Sequence, residues 1–203
     1  MKITALKQQI KNPERVSIFV DEKYAFSLSL DELVKYKLKN GDELSEVDVK
    51  KYKKISEDGK LRAKALAWVT NRPHSVREFY DYLRRKKAEP ELADKLAEEF
   101  VAKKYLDDES YARWLVDLRA RANKSNRAIK TELFKKGIDR EVIDQIMGTE
   151  TETEVERLGE LINKKKNLSR YRNDPVKFAK YLTSQGFSYQ QVKEQMNLAD
   201  IDG

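Results

Sequence analysis

The chain has no cysteine, a single histidine, four prolines and seven glycines in 203 residues. Without cysteine there is no disulfide framework, no thiolate nucleophile and no cysteine-ligated zinc, a composition that fits a reducing compartment. So few glycines leave little material for a phosphate-cradling loop, and no glycine-rich phosphate loop, nucleophile elbow or metalloprotease pattern occurs. No catalytic residue, metal site or cofactor is expected. Long apolar runs are missing too. Neither the opening stretch from Met1 nor any later one is long enough for a signal peptide or a membrane span. The expectation is a cytoplasmic protein without a membrane partner and, since no heptad seam is present, a monomer.

Charge is what the chain has in abundance. Charged residues make up 38% of it, apolar residues 39%, and the net charge is +7. The apolar residues recur at helical spacing, so the chain is not a disordered polyelectrolyte, and their number suits several thin helix–helix layers. The positive surplus is local. Between residues 113 and 136 eight cations (Arg113, Arg119, Arg121, Lys124, Arg127, Lys130, Lys135 and Lys136) face only Asp117 and Glu132. A concentration of this kind suits a polyanion or an acidic protein surface.

Three segments repeat one pattern. Ser75, Ser125 and Asp174 are helix-capping residues 50 and 49 positions apart. Four and eight positions after them stand Phe79 and Leu83, Ile129 and Leu133, and Phe178 and Leu182. Lys87, Gly137 and Gly186 follow at the twelfth position, then Ala93, Ile143 and Val192, and then Ala97, Met147 and Met196. Units that cannot bury their apolar faces alone stack on one another, which predicts an elongated array of three-helix repeats. The expected domains are a small module over 1–57 and repeats over 58–107, 108–148 and 149–203.

In the first module, alternating residues 16–20 and 24–28 predict a hairpin joined at 21–23, with an earlier strand near 3–7 completing a three-stranded sheet. Ser29 and Glu32 form a capping box for a helix to about Leu38, which Asn40 and Gly41 end. Ser45 starts another helix, which Asp58 and Gly59 interrupt or bound. The repeats predict helices over 60–70, 75–87 and 90–103, over 108–121, 125–135 and 139–147, and over 152–165, 174–185 and 188–197. Pro90 and Pro175 suit first helical turns. Residues 148–151 read as a hinge and residues 200–203 as a frayed end. The fold class is thus mainly α, with a small N-terminal sheet.

Several residues carry two readings. His74, in a helix connection after Arg72 and Pro73, is either exposed or helix-capping, or a catalytic or metal-binding group. The cluster Asp107, Asp108 and Glu109 either stabilises a helix start or holds a divalent metal, which would need ligands converging from several directions. Trp68, Tyr80, Tyr82, Tyr105, Tyr111 and Trp114 either pack between helices or stack on bases. Lys164, Lys165, Lys166, Arg170 and Arg172 form a second basic stretch, a solvated face or a weaker partner site. On a helix Arg113 and Arg121 share a face, and Arg127, Lys130 and Lys135 on the next helix extend it.

The ordered motifs resemble the RecX family, bacterial regulators of the RecA recombinase, over nearly the whole chain. They comprise Arg15 to Ser27, Leu38 to Leu44, Arg72 to Ser75 with Tyr82 and Leu83, Tyr105 to Glu109 with Tyr111 and Ala112, Glu132 to Ile138, and Gln185 to Tyr189. The chain departs from the family at Ser125, often glycine there, at Ala128, often basic, and at Lys87 to Pro90, which lacks the glycine of the other repeats. The resemblance implies tandem three-helix repeats and no catalytic residues. It also implies binding to RecA and its nucleoprotein filament, with inhibition of strand exchange, ATP hydrolysis and coprotease activity, and so an effect on recombination, repair and the SOS response. Single- or double-stranded DNA is the second expected partner. The alternative is a helical-repeat protein that binds DNA without sequence selectivity and acts without RecA.

Overall fold

The computed structural model describes residues 1–148 and 153–197. The expected hinge, apart from Gly148, and the expected frayed end lie outside these residues. Among the described residues the chain forms three strands, β1 (Ile3–Gln8), β2 (Arg15–Val20) and β3 (Lys23–Ser29), followed by eleven helices. It divides into two compact units, residues 1–71 with 83–96 and residues 72–82 with 97–203.

In the first unit the strands pair antiparallel in the order β1-β2-β3. The β2–β3 turn consists of Asp21 and Glu22, both at positive φ (47° and 67°), the backbone that matches strand twist in a two-residue hairpin. Ile3, Ile18, Val20, Phe26 and Leu28 form one apolar sheet face and bury with Leu44 and Tyr52. Helix α1 (Leu30–Tyr36) opens with the expected capping box, Ser29 Oγ accepting from Glu32 N at 3.1 Å and Glu32 Oε2 from Ser29 N at 2.7 Å. It closes earlier than expected, at left-handed Lys37 (φ 52°), and Gly41 instead turns so that its N–H donates to Ile3 O at 2.9 Å.

The largest departure from expectation is α2 (Glu46–Val69), which runs unbroken through Asp58 and Gly59. Tyr52, Ser56, Ala65 and Val69 keep one side of it buried on both flanks of the glycine. That burial outweighs the roughly 1 kcal/mol a helical glycine costs. The boundary drawn at 57/58 therefore falls inside a helix.

The remaining helices are α3 (Val76–Arg85), α4 (Pro90–Ala102), α5 (Asp108–Arg121), α6 (Asn126–Lys135), α7 (Arg140–Met147), α8 (Glu154–Lys165), α9 (Ser169–Arg172), α10 (Pro175–Ser184) and α11 (Tyr189–Met196). Their positions follow the repeat, save for the unexpected short α9 inside the basic connection. In the second unit, α5, α6 and α7 enclose Tyr111, Leu115, Ile129, Leu133, Ile143 and Ile146, and α8, α10 and α11 enclose Leu158, Leu161, Phe178, Leu182 and Val192. The apolar positions that defined the repeat are thus its buried ones, save Met147 and Met196, which are partly buried against these cores. No described helix is long and apolar enough to cross a membrane.

Candidate nucleic-acid interface

Two junctions inside the second unit share one construction. At the first, Ser75 Oγ accepts from Glu78 N at 3.1 Å and donates to Lys136 O, at the end of α6, at 2.9 Å. The N–H of Val76, free of any intrahelical acceptor, donates to Asp108 Oδ1, from the first turn of α5, at 2.9 Å. At the second, Ser125 Oγ accepts from Ala128 N at 3.1 Å, and Ser125 N donates to Gln185 O, at the end of α10, at 3.3 Å. Asn126 N donates to Glu154 Oε1, from the first turn of α8, at 2.7 Å. In both, an acidic side chain satisfies an orphan N–H at a helix N-terminus and complements its partial positive charge.

In these bonds the first two members of the acidic cluster act at helix starts. Asp107 caps α5, accepting from Glu109 N and Ser110 N at 3.0 and 3.2 Å, while Asp108 caps α3. Burial pushes the Asp108 carboxyl up, with the Val76 N–H pulling it back. Among the described residues no group of three or more acidic or histidine side chains converges as a metal site.

His74 is neither exposed nor a cap, which corrects that reading. Only 4% of it is accessible, and its Nδ1 stands 3.1 Å from Glu78 Oε2. The same carboxylate accepts from Arg72 Nη1 at 3.0 Å, Lys136 Nζ at 2.7 Å and Tyr111 Oη at 3.5 Å. Burial works against the Glu78 charge, but the hydrogen bonds from Lys136 and Arg72 outweigh it and hold the carboxyl at about 2. Burial and the Glu78 charge push the Tyr111 phenol up. The first junction is thereby charged. The second has Ala128 where the first has Glu78, and there Lys124 Nζ donates instead to the uncharged amide oxygen Gln185 Oε1 at 2.7 Å.

The aromatics pack. Tyr111 is buried and lies 5.7 Å from Trp114, over which the Arg72 guanidinium sits at 5.0 Å. Tyr82 is buried too, while Tyr105 meets Phe100 edge-on at 5.8 Å but stays exposed on its other side.

The eight cations of 113–136 separate into two groups. Arg119 makes a bidentate pair with Glu132 (2.7 and 2.6 Å) that joins α5 to α6, and it holds the Glu132 carboxyl below its ordinary range. Arg113 pairs with Glu109 at 2.7 Å, Lys130 with Asp144 at 2.8 Å and Lys136 with Glu78. Lys124 donates to the Gln185 amide oxygen and has no ion-pair partner among the described residues. Arg121, Arg127 and Lys135 are exposed and have no ion-pair partner among the described residues. Arg127, Thr131 and Lys135 follow one another at four-residue intervals on α6 and, with Thr183 and Gly186, line an open groove. Eight residues of helix set Arg127 and Lys135 about 12 Å apart along its axis. In the second basic stretch, Arg170 lies over Tyr171 at 4.8 Å and Lys165 over Tyr181 at 5.9 Å, while Lys164, Lys166 and Arg172 are exposed.

Arg77 escaped the sequence reading. It stands two residues after Ser75 as Arg127 stands two after Ser125, and the fixed repeat length was the signal that marks it.

Comparison with known proteins places this geometry. Residues 1–45 match the family model described as the regulatory protein RecX N-terminal domain, and residues 107–147 that of the RecX second three-helix domain. The regulatory protein RecX of Bacillus licheniformis is 32% identical over 98% of this chain and 78% of its own length, and that of Bacillus subtilis is 31% identical over the same shares. The protein of that name from Listeria innocua is 36% identical over 72% of this chain, an alignment taking in 55% of the Listeria protein. The chain thus spans little more than half of its Listeria relatives. A crystal structure of regulatory protein RecX superposes over 97% of this chain and 98% of its own, with a TM-score of 0.70 and 25% identity. One of RecX from Lactobacillus salivarius shares the fold over 69% of this chain and 94% of its own, with a TM-score of 0.55 and 23% identity. With nearly the whole chain aligned to proteins of one name, and its N-terminal sheet and middle helices matched separately, the chain belongs to the RecX family of regulatory proteins.

Proposed function

We propose that this chain modulates a RecA recombinase, docking on its nucleoprotein filament and holding DNA phosphates through the cations of α5 and α6. The observation that carries the DNA part is the set Arg121, Arg127 and Lys135, three exposed cations left without carboxylates in a surface whose other cations are mostly paired. Contacts of this type give affinity without reading sequence. The RecA part rests on family membership. No catalytic step is required of the protein, which acts by occupying the filament.

The test is RecA ATP hydrolysis on single-stranded DNA with and without the protein. The expected result is inhibition at saturating protein together with shortened filaments, and unchanged hydrolysis and filament length would sink the reading. The basic surface supports a second reading on its own, DNA binding without a recombinase. Tight DNA binding with no RecA recovered in a pull-down would select it.

A further inference from the structure

Arg77 and Arg127 occupy equivalent places. Each stands two residues after a capping serine, in the first turn of its helix; Arg77 lies against left-handed Gly137, at the end of a later helix, and Arg127 shares a groove with left-handed Gly186, at the end of another. A Cβ on Gly137 (φ 81°) would fall 3.1 Å from Arg77 Cβ and Cδ. Gly186 (φ 101°) lines the same groove as Arg127, and a Cβ there would fall 2.8 Å from Ala128 Cβ. Glycine at these two points lets the next segment approach closely, at Gly137 against the Arg77 stem and at Gly186 against Ser125 and Ala128. Both arginines are exposed, and neither side chain has an ion-pair or hydrogen-bond partner among the described residues.

The junctions do not need these charges. Ser75 with Asp108, and Ser125 with Glu154, already satisfy the helix starts. Two guanidinium groups are therefore presented at matching positions, open to an external anion. We propose that Arg77 and Arg127 form a repeated pair of phosphate-binding arginines, one at each junction, that grip the sugar–phosphate backbone of a nucleic acid. This rests on the nucleic-acid reading above and adds Arg77 to it.

A phosphodiester fits better than an acidic protein. The groove beside Arg127 is lined by Ala128, Thr131, Glu132, Lys135, Thr183 and Gly186, without the large apolar or aromatic side chains that centre a protein interface. The planar guanidinium fork suits phosphate oxygens. The third segment has Val176 at the corresponding position, so the series contributes two such contacts.

The experiment uses the full chain and a fluorescein-labelled oligothymidylate, followed by anisotropy across a salt series. Arg77→Met keeps an apolar stem against Gly137, Arg127→Met keeps one in the groove it lines, and both remove the charge. Each is expected to weaken binding roughly five- to eightfold at about 0.1 M salt and to lower the salt slope by about one, and the double variant by about two. Arg77→Lys is expected to recover most of the slope, which a purely structural role would not give. If wild type binds the oligonucleotide and Arg77→Met keeps its slope, the pairing is overturned while the broader reading stands. If wild type binds no oligonucleotide, the broader reading falls and takes the pairing with it. Loss of affinity for labelled polyglutamate in place of the oligonucleotide would also overturn it, in favour of an acidic protein. Should Arg77→Met fail to fold by circular dichroism, Arg77→Gln and Arg77→Lys decide by the same two slopes.

Discussion

At residue scale, Glu78 makes the sharpest prediction. Its carboxyl lies at about 2 in the folded protein against an ordinary 4.5, because Lys136 and Arg72 bind the charged form more strongly than burial opposes it. A carboxyl depressed on folding contributes stability that is complete above the unfolded value and is lost as pH falls through the folded one. The shift is worth roughly 3 kcal/mol at 1.36 kcal/mol per unit, and about 2 after allowing for the partly exposed lysine and arginine. Denaturation followed from pH 5 to pH 2 should show that loss in wild type, and Glu78→Gln should lack it. A variant retaining the full acid slope would show that Glu78 does not hold the junction. Arg119 and Arg121 supply a paired contrast two residues apart. Arg119→Ala breaks the bidentate link to Glu132 and is expected to cost about 1–2 kcal/mol of stability. Arg121→Ala removes an exposed charge and is expected to change stability by less than ~0.5 kcal/mol. Equal destabilisation in urea titrations would erase the distinction between structural and available cations.

Helix ends and their close approaches are the next scale. Gly186 and Gly41 both adopt left-handed backbone (φ 101° and 94°), but only Gly186 is crowded, by Ser125 Oγ and Ala128, whereas the nearest atom to a Cβ on Gly41 is Lys2 Cε at 3.9 Å. Gly41→Ala should therefore cost about 1 kcal/mol, the strain of the backbone alone. Gly186→Ala should cost at least roughly 1 kcal/mol more, because the clash comes from a capping side chain and a helix that cannot move without losing the Ser125 to Gln185 bond. Similar midpoints for the two variants would mean the junction yields easily. The helices themselves were legible in the sequence because Ser29, Ser45, Ser125 and Ser188 cap locally and the apolar positions recur at fixed offsets. Local signals failed where tertiary burial prevailed. Gly59 looked like a break, but the buried side of α2 continues past it. His74 looked exposed because its partner, Glu78, lies on the helix that follows and is fixed by residues from two others.

For the whole molecule, net charge of +7 overstates what a polyanion can meet. Sequence located the positive surplus between 113 and 136 but not which charges are already used. The neutralising carboxylates come from afar: Glu132 lies 13 residues from Arg119, and Glu78 lies 58 from Lys136. Once Arg113, Arg119, Lys130 and Lys136 are matched with their carboxylates, Arg121, Lys124, Arg127 and Lys135 remain to displace counterions. The salt dependence of DNA binding should therefore depend on this second group and hardly on the first. Arg121→Ala combined with Arg127→Ala is expected to lower the salt slope by about two, equally for unrelated DNA sequences, with stability almost unchanged. Lys35→Ala with Lys39→Ala, in the first unit where 12 cations oppose 11 anions over residues 1–58, is the control and should leave the slope in place. Arg113→Ala with Lys130→Ala is the more demanding comparison, since it removes the same formal charge from the same two helices while also releasing Glu109 and Asp144. If all three pairs shift the slope alike, binding responds to total charge and the pairing pattern has no bearing on function. If only the first pair does, the ion pairs within the fold select which cations meet the phosphates.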